Sequence, residues 1–465
     1  MKKASYLIVA LIATALVACG GCKGTTPPPE EPEPQDTTQV EPADEPDMSL
    51  LKVSVPVTDN WVWSGKPQIT LHMENPNKQT VKVGVGIKFS TDKQVALETI
   101  TDSVDVAGES TQDFVFSTTT NLDPGFYRAY CTANGKGVKN FIFGIDPFKI
   151  VSAPDKQPDF DQFWQTAKDQ LAAVDMNAKL TEIESHSSAA RKVYLVEMQS
   201  VPDGLDGEPV IIRGYYCEPQ DGQKHPVIMH FYGYDTQGTK AKCECPSGGS
   251  STNAEFYLSH RGQYLNNRPA GTNPGIKEAT ENIYGDWFAY HLGDENSYYY
   301  RGAYMDVVQA VRFMATRETS DMQRLFAEGS SQGGALTYAC AALSDWPCSA
   351  IAANVAFLGD FADAISIHSL VYWEINDNRG SMTDEQILRS LSYFDTKNLA
   401  TRISCAVLAS SGLQDDVCPP RLNVVPFNNL ASPESEKQYI FAPEMGHSYP
   451  AGWTTKMTTL FNSKM

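Results

Sequence analysis

Positive charge is scarce in this chain of 465 residues: 37 lysines and arginines stand against 56 aspartates and glutamates, a formal net charge of −19. A surface of that sign repels polyanions, so nucleic acid is a poor partner. Long apolar runs are also missing. The most continuous one, Leu7 to Val17, is shorter than the roughly 20 residues a membrane-spanning helix needs. Histidine is sparse at eight residues. His225 and His230 lie too far apart along the chain for a simple ligand pair, and no zinc-ligand spacing occurs. No metal or other cofactor is expected. The ten cysteines suggest no pairing by their spacing, although an exported chain could form disulfides.

The ends and the middle of the chain differ in composition. Lys2 and Lys3 precede the apolar run, which leads into Leu16-Val17-Ala18-Cys19. Residues 1–18 thus read as a signal segment that resembles a bacterial lipobox, with cleavage before Cys19 and lipid attached to its thiol. The alternative is a plain secretory peptide. The spacing of Cys19 and Cys22 mimics a redox pair but lacks a βαβ context. Residues 19–48, rich in Pro, Thr, Glu and Asp, read as a disordered tether, because they cannot bury enough apolar surface to offset ordering. The implied location is the bacterial cell envelope, on a membrane through a lipid anchor.

Residues 49–148 read as an immunoglobulin-like β-sandwich. Val81, Val83, Val85, Ile87 and Phe89 alternate with small or polar residues, and turn signals such as Asn134-Gly135 separate further strand patterns. Trp61 and Trp63 could stack on sugars, but alternation sends one of them inward, which favours a structural role. Residues 149–465 read as one large α/β domain with a mainly parallel sheet. Its first helix is announced by Phe160, Phe163, Trp164, Ala167 and Leu171 at helical spacing, with Asp159 and Gln162 spaced as a capping box.

Within that domain, Gly329-Ser330-Ser331-Gln332-Gly333 has the frame of a nucleophile elbow. An apolar strand precedes it and good helix formers follow. The glycines two residues either side of Ser331 leave room for a sharp strand-to-helix turn, and this frame selects Ser331 over Ser330. A hydrolase of this kind needs its acid and then its histidine further along the chain. Only His368 and His447 follow Ser331. His368 reads as a packed helical residue, whereas His447 hangs on a loop after the strand Tyr439–Ala442. Asp415 and Asp416 compete for the acid, since spacing alone does not separate them.

These motifs resemble the acetyl xylan esterase and cephalosporin C deacetylase family, carbohydrate esterase family seven. The resemblance rests on Gly329-Ser330-Ser331-Gln332-Gly333, Arg261-Gly262-Gln263, Gly412-Leu413-Gln414-Asp415 and Cys418-Pro419-Pro420. Pro158-Asp159-Phe160 and Tyr298-Tyr299-Tyr300-Arg301 also match. It favours Asp415 as the acid and implies an oxyanion hole from the backbone N–H groups of Gln332 and Tyr234. Two departures stand out. Ser448 follows His447 where the family has glutamate, and Lys240–Asn253, with Cys243 and Cys245, has no counterpart in the family pattern.

The resemblance implies an α/β-hydrolase fold and a serine esterase that removes acetyl groups from carbohydrates such as acetylated xylan, xylo-oligosaccharides or cephalosporin C. It also implies a homo-oligomer of the hydrolase domain. Two other readings share some of these features: a peptidase like prolyl oligopeptidase, and a catalytically silent glycan-binding lipoprotein.

Overall fold

The computed structural model describes residues 45–203, 207–237, 241–246, 251–265 and 284–465. The signal segment, Cys19 and the tether up to residue 44 lie outside the described residues, as do parts of Lys240–Asn253.

The alternation along Val81–Thr91 puts Val81, Val83, Val85, Ile87 and Phe89 on one buried face. That strand is one of five in the order Val62–Trp63, Lys136–Ile145, Gly125–Ala133, Val81–Thr91 and Ala96–Val106. A second sheet is formed by Lys52–Ser54, Ile69–Asn75 and Ser110–Phe116, and the apolar faces of the two sheets share one core. The result is a two-sheet β-module. The long strand Ala96–Val106 has no sequence counterpart, because an edge strand with mostly exposed side chains needs no apolar alternation.

Both tryptophans point inward. Trp61 and Trp63 are 1% and 8% exposed: residues two apart on an extended chain share a face, and the turn Asp59–Trp61, with φ of 49°, 53° and 52°, delivers both to the core. The Trp61 indole donates to Pro56 O at 3.2 Å and that of Trp63 to the Asp59 carboxylate at 3.3 Å. Neither ring is available as a sugar platform, so their role is structural.

Among the described residues, the larger sheet has nine strands. Six run parallel, in the spatial order Ala254–Ser259, His225–Phe231, Ser320–Ser330, Cys348–Asn354, Ala406–Gly412 and Lys437–Ala442. Val210–Pro219, Arg191–Ser200 and Lys179–Glu182 extend it antiparallel. The central parallel strands are nearly all apolar, as expected of strands covered on both faces by helices. Among these helices, Tyr299–Ala315 and Gln332–Leu343 pack together against the sheet.

The helix Phe160–Ala172 buries its five anticipated apolar residues, but no capping box forms at its start. The Asp159 carboxylate instead accepts from the Tyr393 hydroxyl at 2.6 Å, a tertiary bond that takes the place of the local cap. His368 is not packed in a helix. It is exposed in the bend before Ser369, whose side chain caps the helix Leu370–Asn378, and its ring meets the Gln94 amide at 2.9 Å. The chain from Pro46 to Met465 forms one compact unit. The core of the β-module continues into Leu413, Val424 and Val425 of the larger domain.

Candidate active site

The strand Ser320–Ser330 ends at Ser331, and the helix Gln332–Leu343 begins one residue later. Ser331 has φ 60° and ψ −123°, a backbone conformation that side chains rarely adopt. The turn is held in place by hydrogen bonds. Ser331 N–H donates to Asn354 O at 3.0 Å, and Ser331 O accepts from Phe357 N–H at 3.0 Å. A Cβ on Gly329 would lie 2.4 Å from Gly333 O, and one on Gly333 would lie 2.3 Å from Phe231 O of the neighbouring strand. Both glycines are therefore required for the helix to fold back so closely.

Asp415 and His447 come from loops after two further parallel strands. His447 Nδ1 lies 2.8 Å from Asp415 Oδ2. The other carboxylate oxygen accepts the backbone N–H groups of Val417 and Cys418 at 2.9 and 2.8 Å. Asp415 is completely buried, whereas the His447 side chain is 27% exposed. Asp416, one residue on, is exposed. The fold separates two residues that spacing left equivalent. The Cys418 thiol faces Ser331, and burial pushes its pKa well up, which keeps it protonated beside the hydroxyl.

Ser331 and His447 line one cleft of about 440 Å³ together with Gly233 and Tyr234. The Tyr234 side chain points away from a catalytic role. Its hydroxyl donates to Asp286 at 2.5 Å and accepts from Trp287 N–H at 3.1 Å, which pins the loop after the strand His225–Phe231. The rest of the wall includes Tyr232, Tyr257, Tyr449 and the His230–Glu328 pair, 2.7 Å apart. His230 stacks flat on Tyr257 with ring centroids 4.1 Å apart.

The motif Arg261-Gly262-Gln263 is buried beneath this site. Arg261 donates to both oxygens of Asp306, from Nε at 2.9 Å and from Nη2 at 2.7 Å, and reaches Asp203 at 2.8 Å. Gly262 makes the turn with φ 77°. The Gln263 amide donates to Gly233 O at 3.1 Å and Ala241 O at 3.3 Å, which holds the residue before Tyr234.

Gln332 is clamped by a directional chain of hydrogen bonds. Tyr300 Oη donates to Gln332 Oε1 at 2.8 Å, and Gln332 Nε2 donates to His260 Nε2 at 2.7 Å. Tyr299 Oη donates to Arg261 O at 2.7 Å, which leaves it to accept from His260 Nδ1 at 2.8 Å. Burial pushes the His260 pKa down to about 4, so the imidazole stays neutral and can accept from Gln332.

Several residues of this arrangement were not singled out from the sequence: Asn354, His260, Asp306 and Gln414. Asn354 Nδ2 donates to Ser330 Oγ at 2.7 Å and to Ser448 O at 3.0 Å, tying the serine strand to the histidine loop. Its signal is a polar side chain at the end of an apolar strand, and that of Asp306 is a carboxylate within an otherwise apolar helix stretch.

The sheet order and the strand–turn–helix at Ser331 define an α/β hydrolase. Residues 146–465 match the family model of acetyl xylan esterase, and the chain belongs to that family. It is a carboxylic ester hydrolase. An acetyl esterase of Xylanibacter ruminicola is 26% identical over 348 residues, covering 72% of each chain. The structure of an acetyl xylan esterase from Paenibacillus sp. R4 matches with 28% identity and a TM-score of 0.55, over 68% of this chain and 98% of that one. Acetyl xylan esterase 1 from a Thermoanaerobacterium species shares the fold at 24% identity and a TM-score of 0.54, over 68% of this chain and 96% of that one.

Proposed function

We propose that the chain removes acetyl groups from carbohydrate through Ser331, His447 and Asp415. The observation that carries this reading is the 2.8 Å bond from His447 Nδ1 to a buried carboxylate, in a cleft shared with a serine held at φ 60°. With Nδ1–H directed at Asp415, His447 Nε2 is the nitrogen free to take a proton. Ser331 Oγ attacks the acetyl carbonyl carbon while His447 accepts the hydroxyl proton. The carbonyl oxygen becomes an oxyanion that receives the backbone N–H groups of Gln332 and Tyr234. Collapse breaks the ester bond, and His447 returns the proton to the departing sugar oxygen. Water then attacks acetyl-Ser331 with the same histidine as base and releases acetate.

The tyrosines and the His230–Glu328 pair support a carbohydrate as the departing alcohol. They offer flat faces to a pyranose ring and polar groups to its hydroxyls. Acetate release from acetylated xylo-oligosaccharides, from aryl esters of increasing acyl length and from a peptide amide tests the reading. Wild type is expected to hydrolyse the acetyl esters, to prefer acetyl over butyryl and to leave the amide intact. Amide cleavage faster than ester cleavage overturns it in favour of a peptidase.

The signal segment and Cys19 support placing the enzyme in the cell envelope on a lipid anchor. Mass spectrometry of membrane-extracted protein should then find a lipid-modified Cys19 at the mature N-terminus, and Cys19→Ser should release the chain into the soluble fraction. An unmodified N-terminus elsewhere overturns the anchor.

A further inference from the structure

The loops that carry Asp415 and His447 are both held by the β-module. Gln414, directly before Asp415, extends its side chain to the strand Lys136–Ile145. Its Oε1 accepts from Ile142 N–H at 2.9 Å, and its Nε2 donates to Ile142 O at 3.1 Å. The amide thus satisfies both backbone groups of Ile142 on a strand edge that Val62–Trp63 pairs only at Gly144 and Ile145. The same Nε2 donates to Pro443 O at 2.7 Å, in the loop leading to His447. Gln414 N–H donates to Met445 O at 3.0 Å. One side chain therefore joins the acid loop, the histidine loop and the module.

A second contact lies three residues before His447. Lys139, on the same strand as Ile142, pairs with Glu444 at 2.5 Å while its ammonium sits 4.8 Å from the centroid of the buried Trp61 ring. Beneath these polar contacts, Phe126 of the module meets Phe441 with ring centroids 6.4 Å apart, and Leu413 is buried in the module's own core. No residue of the module lines the cleft that contains Ser331. Its action on the site therefore passes through the two loops.

We propose that the β-module is an intramolecular brace that sets the geometry of the Asp415–His447 pair. Gln414 is its principal positioning residue, and the Lys139–Glu444 pair is a second, weaker tie. This rests on the reading of Ser331, His447 and Asp415 given above. Displacement of an oriented group by about an ångström costs on the order of a hundredfold in rate. A loosened brace should therefore appear in kcat rather than in binding.

The test uses the full chain and a small aryl acetate. Gln414→Met keeps the length of the side chain and removes every polar contact of its amide. Active Ser331 is counted by titration with a stoichiometric phosphonate, and turnover is expressed per titrated site. The brace predicts a titration amplitude near that of wild type, a kcat per site lower by roughly ten- to a hundredfold, and KM within about twofold. A purely structural role predicts the opposite, a reduced amplitude with normal turnover per site.

Charge reversal supplies a second arm that leaves the core untouched. Lys139→Glu or Glu444→Lys alone should lower kcat a fewfold, and the double reversal should restore it. Normal turnover per site in Gln414→Met, with His447→Ala inactive, overturns the brace and leaves the catalytic reading standing. Retained turnover in His447→Ala overturns both.

Discussion

The two sides of the cleft are supported in different ways. The side with Gln332 and Tyr234 rests on groups of the hydrolase domain alone: the Arg261–Asp306 pair, Gln263, and the chain through Tyr300, Gln332, His260 and Tyr299. Most of these groups are fully buried and satisfied by one another. The side with Asp415 and His447 consists of loops after strands near the sheet edge, and much of their support comes from the β-module. A group that only donates backbone N–H bonds can be locked into a rigid core. An imidazole that must exchange protons with serine, sugar and water has to remain partly open, so its loop needs support from outside. Damage to the first side should therefore appear as lost stability, and damage to the second as lost rate.

The largest effects expected are at Ser331, between the two sides, and on the second side. Ser331→Ala and His447→Ala should each remove about a million-fold in kcat while circular dichroism stays unchanged. Asp415→Asn should cost about ten-thousandfold, since it places the imidazole in the wrong tautomer. Asp416→Asn should stay within about twofold, and a crippled Asp416→Asn would reverse the assignment of the acid. All four are read from initial rates of aryl acetate hydrolysis.

On the first side, Asp306→Asn removes the fully buried counter-charge of Arg261 and leaves only the partly exposed Asp203 to pair with it. A loss of about 3–5 kcal/mol in unfolding free energy is expected, measured by denaturant titration. Unchanged stability would mean that the pair is less isolated from water than its burial indicates.

His260 gives this side a pH dependence. Its folded pKa is lowered to about 4, against an ordinary value of 6.5. Between those values the unfolded chain binds a proton that the folded chain refuses, so stability is lost as pH falls through that window. The shift corresponds to about 3 kcal/mol. Stability curves from pH 8 to pH 4 should slope in this sense for wild type, and less so for His260→Gln. The smallest effect expected is that of Tyr300→Phe, which frees one end of the Gln332 amide. It should lower the unfolding free energy by about 1 kcal/mol in denaturant titration, with kcat within about twofold.

Much of this was legible in the chain, because the elbow depends on local sterics. Gly329, Ser331 and Gly333 dictate a strand–turn–helix whatever surrounds them, and the apolar stretches that precede Ser331, Asp415 and His447 mark parallel strands. Trp61 and Trp63 have the structural role that the sequence favoured, and both rings are buried rather than one, because residues two apart share a face. The capping box at Asp159 gave way to Tyr393, more than two hundred residues distant, and His368 lies exposed in the bend before the cap at Ser369.

What the sequence determined by itself was therefore the order of the candidate reacting groups and the strands that present them, since both follow from backbone geometry and burial within short segments. Asp415 was already favoured over Asp416 by the motif Gly412-Leu413-Gln414-Asp415, but spacing carried no physical reason; the tertiary structure supplies one, burying one carboxylate against His447 and two backbone N–H groups and leaving its neighbour in water. The contacts of Gln414 were decided in the same way. An amide in a loop carries no local signature, and its meaning appears only when a strand edge some 270 residues earlier in the chain comes within hydrogen-bond reach.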